Sequence, residues 1–147
     1  MRYLLDTDTC IDLLRGEPAV TARAASVAPE DCAVSTVTTY ELFVGAARCR
    51  HPHDESRKVR TFVDAIHEVA FDRRAAERAG AVRAALEARG GMIGPYDVLL
   101  AGQALADNLV LVTSNASEFG RVRGLCLENW RHGTASEGED GGPRSRS

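Results

Sequence analysis

Short apolar runs alternate with longer stretches of helical periodicity along this chain. Tyr3-Leu4-Leu5 is closed by Asp6 and reads as a short buried strand over residues 3–6. Thr7-Asp8-Thr9 supplies capping side chains, and Ile11, Leu13 and Leu14 begin an apolar helical face that stops at Gly16. Pro18 opens an Ala-rich helix to about Ala28, and Cys32 to Ser35 reads as a second strand. Val37, Tyr40, Phe43, Val44 and Ala47 recur at helical spacing between Thr36 and about Cys49. His51-Pro52-His53 breaks that helix. Asp54 or Ser56 then caps another, which carries Val59, Phe62, Val63 and Ile66. Glu68 to Phe71 predicts a third strand. Asp72 to Arg89 is dense in Ala, Arg, Leu and Glu, a strong helical composition that Gly90-Gly91 ends. Gly94-Pro95 starts the next helix, with Pro near its first position, and Asn108 stops it. Leu109 to Thr113 is the clearest strand of all. A helical turn around Ser117 to Phe119 and an edge strand at Cys126-Leu127 follow.

Strands that alternate with helices predict an α/β fold on a parallel sheet. From Gly133 onward the apolar periodicity is lost, so a single domain over residues 1–132 and a disordered polar tail over 133–147 are expected. The net charge of −3 excludes a generic polycation, so contact with nucleic acid has to come from a local patch. The basic residues are nearly all Arg, with Lys58 the only lysine. The four cysteines include no CxxC pair, which argues against zinc and for a reducing compartment. Asp6 interrupts the first apolar run too early for a signal peptide, and no run approaches the ~18 apolar residues of a membrane span. A cytoplasmic protein is expected.

Asp6, Glu41, Asp97 and Asn115 are the candidate chemical residues. Each has a purely structural explanation. Asp8 is positioned to cap the first helix beside Asp6. Glu41 lies three residues after Thr38, the spacing of a capping box. Asp97 falls in a first helical turn, where the helix dipole favours an anion. Asn115 suits a turn after its strand. Yet all four sit where strands end or helices begin, and those places share one edge of an open α/β sheet. Carboxylates gathered there repel one another unless a hard cation such as Mg²⁺ neutralises them, and carboxylate-held Mg²⁺ points to phosphate chemistry.

Two other patterns compete. Leu4 to Cys10 resembles the DxDx[TV] nucleophile loop of haloacid-dehalogenase-type phosphatases, with Asp6 as nucleophile and Cys10 at the Thr/Val position. That chemistry also needs a downstream lysine, and only Lys58 is on offer. His51 and His53, with Arg48, Arg50, Arg57, Lys58 and Arg60, make either a solvated break or a basic rim for a phosphate backbone.

Four segments together resemble the PIN-domain ribonucleases, most of all the VapC-like toxins of bacterial toxin–antitoxin pairs. They are Met1 to Thr7, Ser35 to Leu42, Ile93 to Asp97 and Leu111 to Asn115, with Leu127-Glu128-Asn129-Trp130 as a similar ending. The resemblance implies a three-layer α/β/α fold with four to five parallel strands and an acidic pocket at one edge. It implies that Asp6, Glu41 and Asp97 hold Mg²⁺, with Mn²⁺ able to substitute, and that a metal-activated water cleaves RNA to leave a 5′-phosphate and a 3′-hydroxyl. A cognate antitoxin crossing the region of Leu13, Leu14, Tyr40, Phe43 and Val44, and a homodimer, are implied as partners. The chain departs from the pattern at position 8, often Asn and here Asp8, and after the last strand, where Asn115 replaces a frequent Asp. Glu118, one turn later, is a candidate for the missing carboxylate. Asn115 also leaves open a catalytically silent RNA- or protein-binding module of the same fold.

Overall fold

The computed structural model describes residues 1–132, so the tail expected over 133–147 lies outside the described residues. Five short strands form one parallel sheet: β1 (Tyr3–Leu5), β2 (Cys32–Ser35), β3 (His67–Val69), β4 (Val110–Val112) and β5 (Leu127–Glu128). The spatial order is β3-β2-β1-β4-β5. The chain therefore starts in the middle, builds outward through β2 and β3, and crosses back to lay β4 and β5 on the other side of β1. The switch in direction falls between β1 and β4, where a crevice opens at the strands' carboxyl ends.

Side chains alternate across the sheet with the period of two that strands impose. Leu4, Ala33 and Leu111 face α5 (Arg73–Arg89) and α6 (Pro95–Ala106), in a core completed by Ala79, Val82, Leu86, Leu100 and Ala104. Tyr3, Leu5, Cys32, Val34 and Val112 face the opposite layer. There α1 (Thr7–Arg15), α2 (Pro18–Ala25), α3 (Thr36–Arg48) and α4 (Pro52–Asp64) contribute Cys10, Val20, Leu42, Ala46 and Val59. The result is the expected three-layer α/β/α arrangement. A last short helix, α7 (Ala116–Phe119), plugs Phe119 into the α5–α6 side.

Several boundaries differ from the sequence reading. The first helix is capped by Asp6, whose carboxylate accepts from the Thr9 N–H at 2.8 Å, and not by Asp8. Ser35 caps α3 by accepting from Val37 N–H, so Thr38 lies inside the helix and makes no capping box with Glu41. α4 begins at Pro52 behind His51, ahead of both Asp54 and Ser56, because a proline in the first turn needs no N–H partner. α2 stops at Ala25, and Pro29–Asp31 form a 3₁₀ turn before β2.

Contacts at two places close the domain. On α6, Gly102 lies where a Cβ would stand 2.4 Å from the Ala79 Cα, so the α5 and α6 backbones touch at this glycine. At the C-terminal end, fully buried Trp130 meets Tyr3 edge-on with centroids 5.4 Å apart. Its indole N–H donates to Glu128 Oε1 at 2.7 Å, and Arg23 reaches the same oxygen at 2.9 Å. Arg131 grips the buried Asp12 carboxylate with two hydrogen bonds of 2.9 Å. Among the described residues no helix is long and apolar enough to cross a membrane.

Candidate active site

The pairing of β1 with β4 builds the floor of the site. Leu5 lies beside Val112, so the residues that follow, Asp6 and Thr113, emerge side by side at the carboxyl edge. The Asp6 N–H donates to Val112 O at 3.0 Å and extends that register by one step. Asp6 is 4% exposed. Burial pushes its carboxyl above the usual carboxylate range, against the pull of hydrogen bonds from the Thr113 hydroxyl and from Thr9; the charge of Asp8 pushes it further. Thr113 is also fixed from behind, because its hydroxyl oxygen accepts from the Asn115 N–H at 2.9 Å.

Glu41 comes from the second turn of α3, on the β2 side of the crevice. Thr7, in the first turn of α1, donates its hydroxyl to Glu41 Oε1 at 2.5 Å and also approaches the Thr38 hydroxyl at 3.3 Å. The α1 and α3 starts are thus tied together at the rim. Asp97 projects from the first turn of α6, behind Gly94, where a Cβ would stand 3.1 Å from the Asp97 carboxylate. The absence of a side chain at position 94 leaves that carboxylate its room.

The acids converge electrostatically on Asp97. Burial raises its carboxyl most, followed by the charge of Glu118, the charge of Asp6, a hydrogen bond shared with Glu118 and the charge of Glu41; together they bring it to about 7. Glu118 thus lies next to Asp97, a fourth carboxylate beside the three expected acids. It stands in α7 and also accepts, at 3.5 Å, from the Gly94 N–H that precedes Asp97. Asn115 heads α7 at the same edge, but its side-chain oxygen accepts from the Ser117 hydroxyl at 3.2 Å. Asp8 is exposed on α1 and acts on Asp6 through its charge. The sequence brought Asp6, Glu41, Asp97 and Asn115 to one edge correctly, and it offered Glu118 only as a candidate. The Glu118-Phe119 pair was the available signal: buried Phe119 anchors α7, and its neighbour is turned to the crevice.

All four carboxylates offer hard oxygen donors, the set a divalent cation of the Mg²⁺ class takes. Among the described residues no three His, Cys, Asp or Glu groups are gathered tightly enough to hold an ion as they stand. The fit rests on the donor chemistry and on Asp97, whose carboxyl is raised to about 7 by burial and then by the charges of Glu118, Asp6 and Glu41. The other two patterns find no such support. Lys58 is exposed on α4 and pairs with Glu55 at 3.0 Å, which leaves the phosphatase pattern without a lysine at Asp6. Arg57 likewise pairs on the surface with Asp54.

Beside the acids, a groove of about 540 Å³ runs between α1, α3 and α4. Ile11, Leu14, Leu42, Ala46 and Val59 give it an apolar floor, and Glu41 forms one wall. Of the apolar residues expected near this surface, Leu13, Leu14 and Phe43 pack against the core while remaining half-buried, and Tyr40 stands out in solvent.

Comparison with known proteins gives the same picture from an independent direction. The PIN-domain family model matches residues 3–125. A tRNA(fMet)-specific endonuclease VapC of Shigella flexneri is 34% identical over 130 residues, covering 88% of this chain and 98% of the relative. Ribonuclease VapC2 of Rickettsia felis is 30% identical over 132 residues with the same coverage. The crystal structure of DNA-bound VapBC from Salmonella typhimurium superposes with a TM-score of 0.84 at 33% identity, over 88% of this chain and 98% of that one.

Proposed function

The chain belongs to the PIN-domain family, among its VapC ribonucleases, and on that footing we propose that its acidic crevice hydrolyses RNA as the toxin half of a toxin–antitoxin pair. The observation that carries this reading is the Asp97 carboxyl, held at about 7 by burial and by Glu118, Asp6 and Glu41. Such a cluster is costly to a fold and becomes useful when a cation joins it. Asp6, Glu41 and Asp97 would hold Mg²⁺, with Mn²⁺ as substitute. Glu118 would add the fourth carboxylate, and Asn115 would line the rim and orient a ligand. A bound divalent cation would neutralise charge at the scissile phosphate and acidify a water.

The chain's own groups do the positioning. Thr9 and Thr113 fix the Asp6 carboxylate, and Thr7 fixes Glu41, so two of the acids meet the substrate already oriented. Asp97, raised to about 7, would hold a divalent cation only once deprotonated, so binding there would be pH-dependent. Water attacking the scissile phosphorus in line with O3′ would form a new P–O bond as the P–O3′ bond breaks, O3′ taking up a proton, and would leave a 5′-phosphate and a 3′-hydroxyl. RNA cleavage in Mg²⁺ or Mn²⁺ tests this reading. EDTA and Asp97→Asn are each expected to abolish it, and full activity in EDTA would overturn it.

The groove between α1, α3 and α4 fits the antitoxin. Its apolar floor would take an apolar segment, and Glu41 at its wall would meet a basic side chain reaching toward the acids. A homodimer, cytoplasmic location and a domain complete at residue 132 belong to the same reading. Expression of the chain alone is expected to slow growth, and co-expression of the neighbouring antitoxin gene to restore it. Normal growth at high yield without a partner would count against a toxin.

A further inference from the structure

Tyr40 and Tyr96 are the exposed aromatic rings among the described residues, at 52% and 39% relative exposure. They are not scattered. The phenol oxygens lie 3.3 Å apart, and the ring centroids 5.6 Å apart at an interplanar angle of 55°. One ring comes from α3 and the other from α6, and each immediately precedes an acid of the site: Tyr40 before Glu41, Tyr96 before Asp97. The pair therefore stands at the lip of the acidic crevice.

A tyrosine ring left in water forgoes the stabilisation its burial would bring. Here the hydroxyl contact links a ring on α3 with a ring on α6. The two rings meet at a tilt and keep part of their faces open to solvent. Such a surface suits a flat, neutral, aromatic partner. It suits a phosphate poorly, since the nearest formal charges are negative. Bases in single-stranded loops and ends of RNA are free to splay out and stack on aromatic side chains, whereas those of an A-form helix are not. Stacking on an aromatic ring is the sequence-tolerant way to hold an unpaired base, and each such contact contributes about 1–3 kcal/mol.

We propose that Tyr40 and Tyr96 form a stacking wedge for one unpaired base next to the scissile phosphate, and thereby select which RNA loops are cut. This rests on the ribonuclease reading. The wedge acts by placing the phosphate over Asp6, Glu41 and Asp97, so Tyr40 and Tyr96 are positioning residues.

The test uses the full chain and a pool of hairpin RNAs with randomised loops, in Mg²⁺ and in Mn²⁺, with the cut ends sequenced. The best-cut hairpin then gives kcat and KM for Tyr40→Leu, Tyr96→Leu, Tyr40→Phe and Tyr96→Phe. Each Leu variant is expected to raise KM on the order of tenfold or more, to change kcat less, and to flatten the loop preference. The Phe variants keep a ring and should stay within a few-fold of wild type. Leu variants with wild-type KM and unchanged preference would overturn the wedge. So would Phe variants as impaired as Leu, since the hydroxyl contact would then be what matters, and so would a loss traced by light scattering to a broken oligomer. A wild-type chain that cuts nothing in the pool fails the ribonuclease reading itself and takes the wedge with it.

Discussion

Asp97 keeps its proton to about 7 because burial and three neighbouring acids oppose its charge, and this has a signed consequence for stability. In the unfolded chain the group titrates near 3.8. Between those values the folded state holds more protons than the unfolded state, so stability falls as pH rises through that window. Asp6 is shifted in the same direction. Thermal unfolding in EDTA should therefore show a lower melting temperature at pH 8 than at pH 5, with a smaller drop in Asp97→Asn. The fourth acid gives a second expectation at this scale. Glu118→Gln should weaken Mn²⁺ binding on the order of tenfold, about 1.4 kcal/mol, while Asn115→Ala changes it less. Calorimetric titration ranks the two, and the reverse order would return the fourth position to Asn115. Asp6, Glu41 and Asp97 were legible in the sequence because each lies at or near the end of an element whose apolar pattern is plain. Glu118 was less so. Its direction depends on how a four-residue helix turns, and that is set by the burial of Phe119, a tertiary fact.

At the scale of elements, the helices and strands were readable and their ends were off by a few residues. The reasons are local. Asp6 outcompetes Asp8 as a cap because the strand register leaves Asp6 outside the helix with its carboxylate free to turn back. Pro52 starts α4 early because proline is at ease in a first turn. The meeting of α5 and α6 was not readable at all. Ala, Arg and Leu composition predicts that both helices form, and says nothing about how close they come. Gly102 sets that distance. Gly102→Ala has to push the Ala79 backbone away, and is expected to cost about 1–3 kcal/mol in a urea unfolding series. The neighbouring exposed Gly80, which meets nothing within 4 Å, should accept alanine without loss, and makes the matched control.

For the whole molecule, the order β3-β2-β1-β4-β5 is what gathers Asp6 at the end of β1 and the acids of α3, α6 and α7 at one edge. Alternating elements predicted the parallel sheet. The strand order came only with the structure, because a buried three-residue strand carries no mark of its neighbours. The C-terminal end of the described chain is closed by Trp130, Glu128 and Arg23 against Tyr3, on the layer that carries α1 and α2. Trp130→Ala should cost about 3–5 kcal/mol. A chain ending at His132 should melt and cleave as the full chain does. Loss of either property would place part of the working protein beyond that residue.

The central strand is also the first to be synthesised, and that sets when the enzyme can exist. Thr9 bonds to the Val112 carbonyl across 103 residues of sequence. β1 is flanked on one side by β4, so a ribosome must make nearly the whole domain before Asp6 gains its floor and Asp97 its neighbour Glu118. At about 5–20 residues per second, that interval is on the order of ten seconds. Nascent chains arrested at Asn108 should be open to proteases around Asp6, and those released at His132 closed. A chain built in this order gains its acidic crevice only when its own synthesis is almost over, so on the reading proposed above the activity appears late and all at once.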